Sequence, residues 1–431
     1  MTDLALAEPT KKFFVEMLTR DVSLQSAILD LVDNAVDSFR QSSRELSSGT
    51  IEINFNKDSF QISDNANGIT YSDAKNYVFS FGRKDDQETQ KHGIGLYGVG
   101  LKRAVFKIGS LITVASRSRT SNFIVAIDVK KWLKLKEWVF PFTVSEPVVD
   151  ETKDTFTKVE IKGIHASISS DFSDLAFQAS LLKSISSYHS LLIINGLRIF
   201  VNGQIAESQL PKMLMSDSVL PHVSNLKTDG VEVLIRAGLM TSGPDDAGWT
   251  VFCNDRMILR ADKTSLTGWG MKEGQRTPQY HNQFSKFRGF VYINSDDGLK
   301  LPWNTTKSSL DPENSLYKSV VLPEMVLTMR KLIDILNELD REKEAELQGF
   351  APGPLSVSLS EAKVTSQIVE LKEQVFEIRR RSMKAEELQT AIQFRRPKAL
   401  VNRVIEHMGV VSAVAVGEHL FDTYVEEYEL K

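Results

Sequence analysis

From residue 27 to 38 the chain reads AILDLVDNAVDS, with apolar residues at Ile28, Leu29, Leu31, Val32, Ala35 and Val36. At about 100° per residue, Asp30, Asn34 and Asp37 share a sector of roughly 60°, with Asp33 beside them. The pattern predicts a helix that is apolar over most of its circumference, capped by Ser23 and ending near Arg40. A shorter helix is predicted over residues 9–19. A period of two follows over 51–55 and 60–62, a hairpin turning at Asn56, Lys57 and Asp58. Helical spacing returns over 71–78 and through Leu101, Val105 and Ile108. Strands are predicted at 111–115, 123–127 and 156–161, with residues 130–154 as a hairpin or loop excursion. A helix over 170–189 closes this part. Further on, 197–202, 251–258 and 290–294 read as strands. Val326, Met329, Leu332, Ile333, Leu336 and Leu339 form a helical stripe within 316–347. The run Phe350 to Pro354 is a breaker. Beyond it Val364, Ile368, Leu371, Val375 and Ile378 are spaced alternately by four and three, as in the seam of a short coiled coil. The amphipathic pattern from 399 to 428 predicts a small helical module.

The chain has 431 residues, 42% of them hydrophobic and 25% charged, which suits a soluble globular protein of two to four domains. A net charge of −4 gives no electrostatic case for nucleic-acid binding by the whole surface. Single Cys253 excludes an intrachain disulfide and a cysteine-rich metal site. No stretch reaches about 18 apolar residues, and the N-terminus lacks the basic start and apolar run of a signal peptide. A cytoplasmic protein without a membrane span is expected.

Three stretches carry candidate chemistry. Burying the carboxylates of the first helix requires a compensating cation, protons or donors; a hard divalent ion such as Mg²⁺ suits carboxylate and amide oxygens. Otherwise the acidic stripe faces water. The second strand of the hairpin runs into Asp64, Asn65, Ala66, Asn67, Gly68 and Ile69. A strand-end carboxylate followed by small residues can accept from an exocyclic amine such as that of adenine, and Gly68 permits backbone geometry or close contact that a side chain would block. Alternatively this is a polar turn. A charged stretch, 85–92, reads as a mobile loop. It leads into Gly93, Ile94, Gly95, Leu96, Tyr97, Gly98, Val99, Gly100, Leu101 and Lys102. Glycines directly before a helix can cradle phosphate with backbone N–H groups, and Lys102 adds charge. The run is neither a Walker A loop nor a dinucleotide fingerprint.

An acidic helix with a central Asn, a strand-end Asp with a glycine, a lid-like loop and a glycine-rich helix start, in that order, resemble the Bergerat-type (GHKL) ATPases: gyrase B, the large heat-shock chaperones, histidine kinases and MutL. Phe81–Gly82 followed by the run from Gly95 to Lys102 is most similar to the MORC ATPases and their prokaryotic relatives. The resemblance implies an α+β fold: a two-layer α/β sandwich that binds ATP (1–190), an α/β transducer-like domain (191–348) and a C-terminal helical extension (349–431). It implies that Asn34 coordinates the Mg²⁺ on the ATP phosphates, that Asp64 bonds the adenine amine, and that Gly68 packs near the base. Gly95, Gly98 and Gly100 match the phosphate-loop glycines and Lys102 the basic residue closing that loop; Asp37, Ile69, Leu96, Tyr97, Val99 and Leu101 fall among the expected cofactor contacts. Asp30 stands where hydrolytic members usually carry Glu as general base. Ala66 stands where glycine is frequent. Asn254–Asp255–Arg256 resembles a transducer-domain turn, and on the loop from Gly298 to Lys307 a lysine that reaches the ATP γ-phosphate is expected, Lys307 first and Lys300 second; a solvated loop lysine is the alternative.

The resemblance implies a slow Mg²⁺-dependent ATPase that dimerises on binding ATP, with DNA and a separate nuclease or effector protein as partners in a DNA-related or phage-defence process. Basic clusters at Arg379–Arg381 and at Arg395, Arg396 and Lys398 could touch phosphates or simply be solvated. No His precedes His92, which excludes the phospho-acceptor helix of a standalone histidine kinase. A chaperone-like protein and a non-hydrolysing ATP-gated scaffold are the other readings.

Overall fold

The computed structural model describes residues 9–41, 45–81, 100–146, 154–208, 211–272, 276–304, 307–348, 350–380, 392 and 395–429. The chain forms an α/β sandwich, a second α/β layer and C-terminal helices, the α+β architecture expected. By packing it divides into one unit of Met1–Glu342 with Gly353–Arg381 and another of Lys343–Pro352 with Ser382–Lys431.

The larger unit opens with helices α1 (Lys11–Arg20) and α2 (Leu24–Arg40). The Ser23 hydroxyl accepts from the Ser26 N–H at 3.1 Å, capping α2. Strands β1 (Thr50–Asn56) and β2 (Ser59–Asp64) form the expected hairpin. Its turn is set by Asn56, whose side-chain oxygen accepts from the N–H groups of Asp58 and Ser59. A helical turn, α3 (Tyr71–Asp73), continues as a π-turn over Ala74–Val78. After α4 (Gly100–Ile108) come β3 (Gly109–Arg117) and β4 (Asn122–Asp128), then α5 (Val129–Trp132), β5 (Phe142–Glu146) and β6 (Phe156–Ile164). The helix expected over 170–189 is broken at Asp174, which caps α7 (Leu175–Tyr188) after α6 (Ala166–Phe172). Next come α8 (Ser190–Ile194), β7 (Arg198–Val201) and β8 (Gln204–Ile205).

The first sheet has the order β5-β4-β3-β6-β2-β1-β7-β8. Strand β7, read from sequence as opening the second domain, instead pairs in parallel with β1. The reason lies in its apolar residues: Ile199 and Val201 are fully buried and extend the row formed by Ile51, Ile53 and Phe55 of β1. Helices α2 and α4 pack on each other, and both touch this sheet.

An aromatic cluster closes the end of the sandwich next to α1. Trp132 lies near Phe81 and Phe106, and Trp138 meets Phe14 and Phe81 edge-on. Lys11 is buried there. Its ammonium donates to the carbonyls of Trp132, Leu135 and Glu137 and lies 4.5 Å from the Trp132 ring centroid.

The second sheet, β11-β12-β15-β13-β14, follows short strands β9 (Met213–Met215) and β10 (Val219–Leu220). Its members are β11 (His222–Thr228), β12 (Val231–Leu239), β13 (Gly248–Cys253), β14 (Arg256–Asp262) and β15 (Phe287–Ser295). The stripe predicted on 316–347 is α9 (Leu322–Leu347), whose Met325, Met329, Leu332 and Leu336 share a core with Val233, Val251 and Val291. The other face carries Phe252, Phe290 and Tyr292.

That other face is covered by the segment read as a coiled-coil seam. After α10 (Pro354–Ser360), residues 361–380 run as a strap whose β16 (Lys363–Thr365) pairs with β9 and β17 (Glu377–Ile378) with β10. Ile368 is fully buried against Phe252 and Tyr292, while Val364 and Val375 face solvent. A helix does not form because the backbone is captured elsewhere: the buried Arg236 guanidinium donates to the carbonyls of Ile368 at 3.0 Å and Val369 at 2.9 Å. Arg379 and Arg380, read as candidate phosphate contacts, pair instead with Glu377 and Glu338. In the smaller unit, α11 (Lys398–Met408) and α12 (Ala413–Glu427) pack on each other without a fully buried residue.

Candidate nucleotide site

Strand β2 delivers Asp64 to the floor of a pocket between α2 and the sheet, lined by Leu31, Asn34, Ile62, Asp64, Ile69 and Thr157 among others. Asp64 is 9% exposed, and its Oδ1 accepts from the Ala66 N–H at 3.0 Å. Burial pushes its carboxyl up to about 7, against the pull of that backbone donor. The loop behind it is fixed on both sides. The Ala66 carbonyl accepts from the Thr155 hydroxyl, and the Ile69 N–H donates to the Ser116 hydroxyl at 2.8 Å. Ala66 keeps a negative φ, which is why a side chain is tolerated there. Gly68 has φ +70°, and a Cβ on it would lie 2.0 Å from the Arg117 carbonyl oxygen. Its glycine is therefore required by contact with the end of β3. An apolar cleft with one buried acceptor suits a flat ligand carrying an N–H donor.

Helix α2 supplies the opposite wall. Asp30, Asp33 and Asp37 are buried, and Asn34 is exposed and faces the pocket. The sequence suggested that a divalent ion would offset the buried carboxylates. For Asp30 and Asp33 basic side chains do so instead. Arg103 Nε donates to Asp30 Oδ2 at 3.1 Å and Nη2 donates to the same oxygen. Lys307 Nζ donates to Asp33 Oδ2 at 2.8 Å and lies 3.8 Å from Asp30 Oδ1. Arg256 Nη1 donates to Asp33 Oδ1. Burial pushes the Asp33 carboxyl up, but Arg256 first and Lys307 next outweigh it, and it sits below the usual carboxylate range. His189, fully buried 3.6 Å from Asp33 Oδ1, is lowered to about 3 by burial despite that carboxylate, so it is neutral.

Helix α4 brings the end of the glycine-rich run to α2. A Cβ on Gly100 would meet Asp30 Cβ at 3.5 Å. Leu101 is half-buried against the core. Lys102, expected to close a phosphate loop, turns inward: its ammonium donates to the Val78 carbonyl at 2.8 Å, and burial lowers it to about 8. Gly95, Leu96, Tyr97, Gly98 and Val99 lie outside the described residues. Of the two lysines expected to reach back, Lys307 meets α2, whereas Lys300 pairs with Asp229.

Arg103 and His189 escaped the sequence reading, and Arg256 was named there only as part of the Asn254–Asp255–Arg256 turn, not as a partner of α2. The signal for these pairings was indirect: each buried carboxylate needs a partner, Arg103 directly follows Lys102, and Arg256 is the last residue of the Asn254–Asp255–Arg256 turn. Among the described residues, no group of three or more His, Cys, Asp or Glu side chains could hold a metal ion by itself.

No curated protein matches the chain. Residues 22–159, from the cap of α2 into β6, match the family model described as histidine kinase-, DNA gyrase B-, and HSP90-like ATPase, so over this span the chain is similar to GHKL-type ATPase domains, and the likeness supports ATP binding.

Proposed function

We propose that this protein is an Mg²⁺-dependent ATPase of the GHKL class, a MORC-like switch in which ATP binding drives dimerisation. The observation that carries the proposal is the pairing, across one pocket, of a buried strand-end acceptor, Asp64, with an exposed helix amide, Asn34. In this reading Asp64 accepts from the adenine amine, Gly68 and Ile69 flank the base, and the run from Gly95 to Leu101 holds the phosphates, with Asp37 supporting Asn34 from α2. The Asn34 amide oxygen fits Mg²⁺, which keeps several waters and takes further ligands from substrate phosphates rather than from an all-protein cage. When bound, the ion neutralises phosphate charge. Asp30 acts as general base on the attacking water, for which its oxygen facing Lys307 must become available. Lys307 follows the terminal phosphate. The switch would serve a DNA-related process such as defence against phage, acting on DNA or through a separate nuclease or effector.

Turnover by the purified chain, with and without double-stranded DNA, tests this beside its mass in solution with a non-hydrolysable ATP analogue. DNA-stimulated turnover and an analogue-induced dimer are expected. Asp30→Ala should abolish turnover yet keep ATP binding; surviving turnover would remove Asp30 from the role of base. A second reading, a scaffold that binds ATP without hydrolysing it, is favoured by one observation: Asp30 is a short carboxylate and Arg103 holds one of its oxygens. Binding and dimerisation without turnover would select it.

A further inference from the structure

Asp30 and Asp33 of α2 are held by three cations from three different elements. Arg103 comes from α4, Arg256 from the start of β14, and Lys307 from the loop after β15. With His189 neutral, these five groups carry one positive charge in excess. The excess is not shared evenly. Take Lys307 away and each acid keeps its own arginine, Arg103 on Asp30 and Arg256 on Asp33. Take Arg256 away and Lys307 becomes the cation that must stay with Asp33.

The two cations on Asp33 also differ in how firmly they are placed. Arg256 follows a tight turn in which Asn254 (φ +45°) and Asp255 (φ +60°) are both left-handed. The Asn254 side chain closes that turn onto β15, accepting from the Ser295 N–H at 3.0 Å and donating to the Ser295 carbonyl at 3.1 Å. Arg40, from α2 itself, donates to the Asn254 carbonyl and to Asp255 Oδ2. The Arg256 guanidinium lies 5.3 Å from the Tyr188 ring centroid. Lys307 projects from a loop residue at φ +52°, and its ammonium bridges the two acids.

We propose that Arg256 is a positioning residue: it keeps Asp33 paired, so that Lys307 is the exchangeable cation of the cluster, able to pass from Asp33 to the terminal phosphate of a nucleoside triphosphate. This inference rests on the ATP reading above. It makes Asp33 a resting place for Lys307 and Arg256 the residue that makes leaving it tolerable. The observable is the preference for triphosphate over diphosphate.

The test is calorimetric titration of the full chain with a non-hydrolysable ATP analogue and with ADP. Arg256→Met should lower the triphosphate-to-diphosphate affinity ratio at least about tenfold, because Lys307 can then leave only by stranding a buried carboxylate. Adding Asp33→Asn to Arg256→Met should restore the ratio, and Arg256→Lys should retain most of it. A merely structural Arg256 would weaken both nucleotides alike, with no rescue by Asp33→Asn, and that result would overturn the inference. Should Arg256→Met fail to fold, Asp33→Asn alone carries the test: a raised ratio is expected, and an unchanged or lower one overturns the inference. A wild-type chain that binds neither nucleotide would sink the ATP reading and this inference with it. Tight binding with an unmoved ratio sinks only the inference.

Discussion

Asp64 shows how one residue joins stability to binding. Its carboxyl is raised by burial to about 7, against an unfolded value of about 3.9. Between those values the folded chain keeps a proton that the unfolded chain has lost. Folding stability without nucleotide should therefore fall as pH rises from about 4 to about 7, by an amount on the order of 4 kcal/mol once Asp64 is fully ionised. Asp64→Asn should flatten that slope and leave the nucleotide-free protein more stable than wild type at pH 8. Urea unfolding of both proteins at pH 5 and pH 8 measures the difference. Binding should show the opposite trend. An amine donor favours the ionised carboxylate, so ATP affinity should rise from pH 6 to pH 8 in wild type by more than it does in Asp64→Asn. Equal pH dependence in the two proteins would remove Asp64 as the base contact.

At the scale of elements, the loop from Asp64 to Ile69 shows what sequence can and cannot carry. That Gly68 needed its missing side chain was legible, because a glycine after a strand-end carboxylate signals a special backbone. What it avoids was not: the Arg117 carbonyl belongs to a strand 49 residues further along the chain. Gly68→Ala should cost about 2–4 kcal/mol by urea denaturation, through a left-handed φ and a clash with backbone. A loss below about 1 kcal/mol would mean that the loop moves aside. The hairpin, α2 and its cap were legible because they are local patterns of apolar spacing and turn chemistry. Lys307 was legible as a site lysine, but Arg103 as the partner of Asp30 and Arg256 as the partner of Asp33 were not, since the latter pairing spans 223 residues. The strap failed for another reason. Spacings of four and three describe a helix seam, yet Ile368 is buried while Val364 and Val375 are exposed. Apolar spacing alone does not reveal that Arg236 will claim the backbone carbonyls.

Across the larger unit, both faces of the second sheet are covered, one by α9 and the other by the strap. The strap is thus part of the core although it lies after the Pro-Gly-Pro break. Ile368→Ala should cost about 2–4 kcal/mol and raise protease cleavage within residues 361–380; unchanged cleavage would show that Arg236 alone holds the segment. The charge cluster on α2 joins the two sheets within the same unit through Arg40, Arg256 and Lys307.

The aromatic cluster beside α1 gives the protein an optical signal of its own. Of the five tryptophans, Trp132, Trp249, Trp269 and Trp303 are each at most 4% exposed, whereas Trp138 is 41% exposed. A collisional quencher such as acrylamide will therefore read mainly Trp138. That ring lies against Phe14 of α1 and against Phe81. Its quenching constant becomes a label-free gauge of whether α1 stays seated as nucleotide is added.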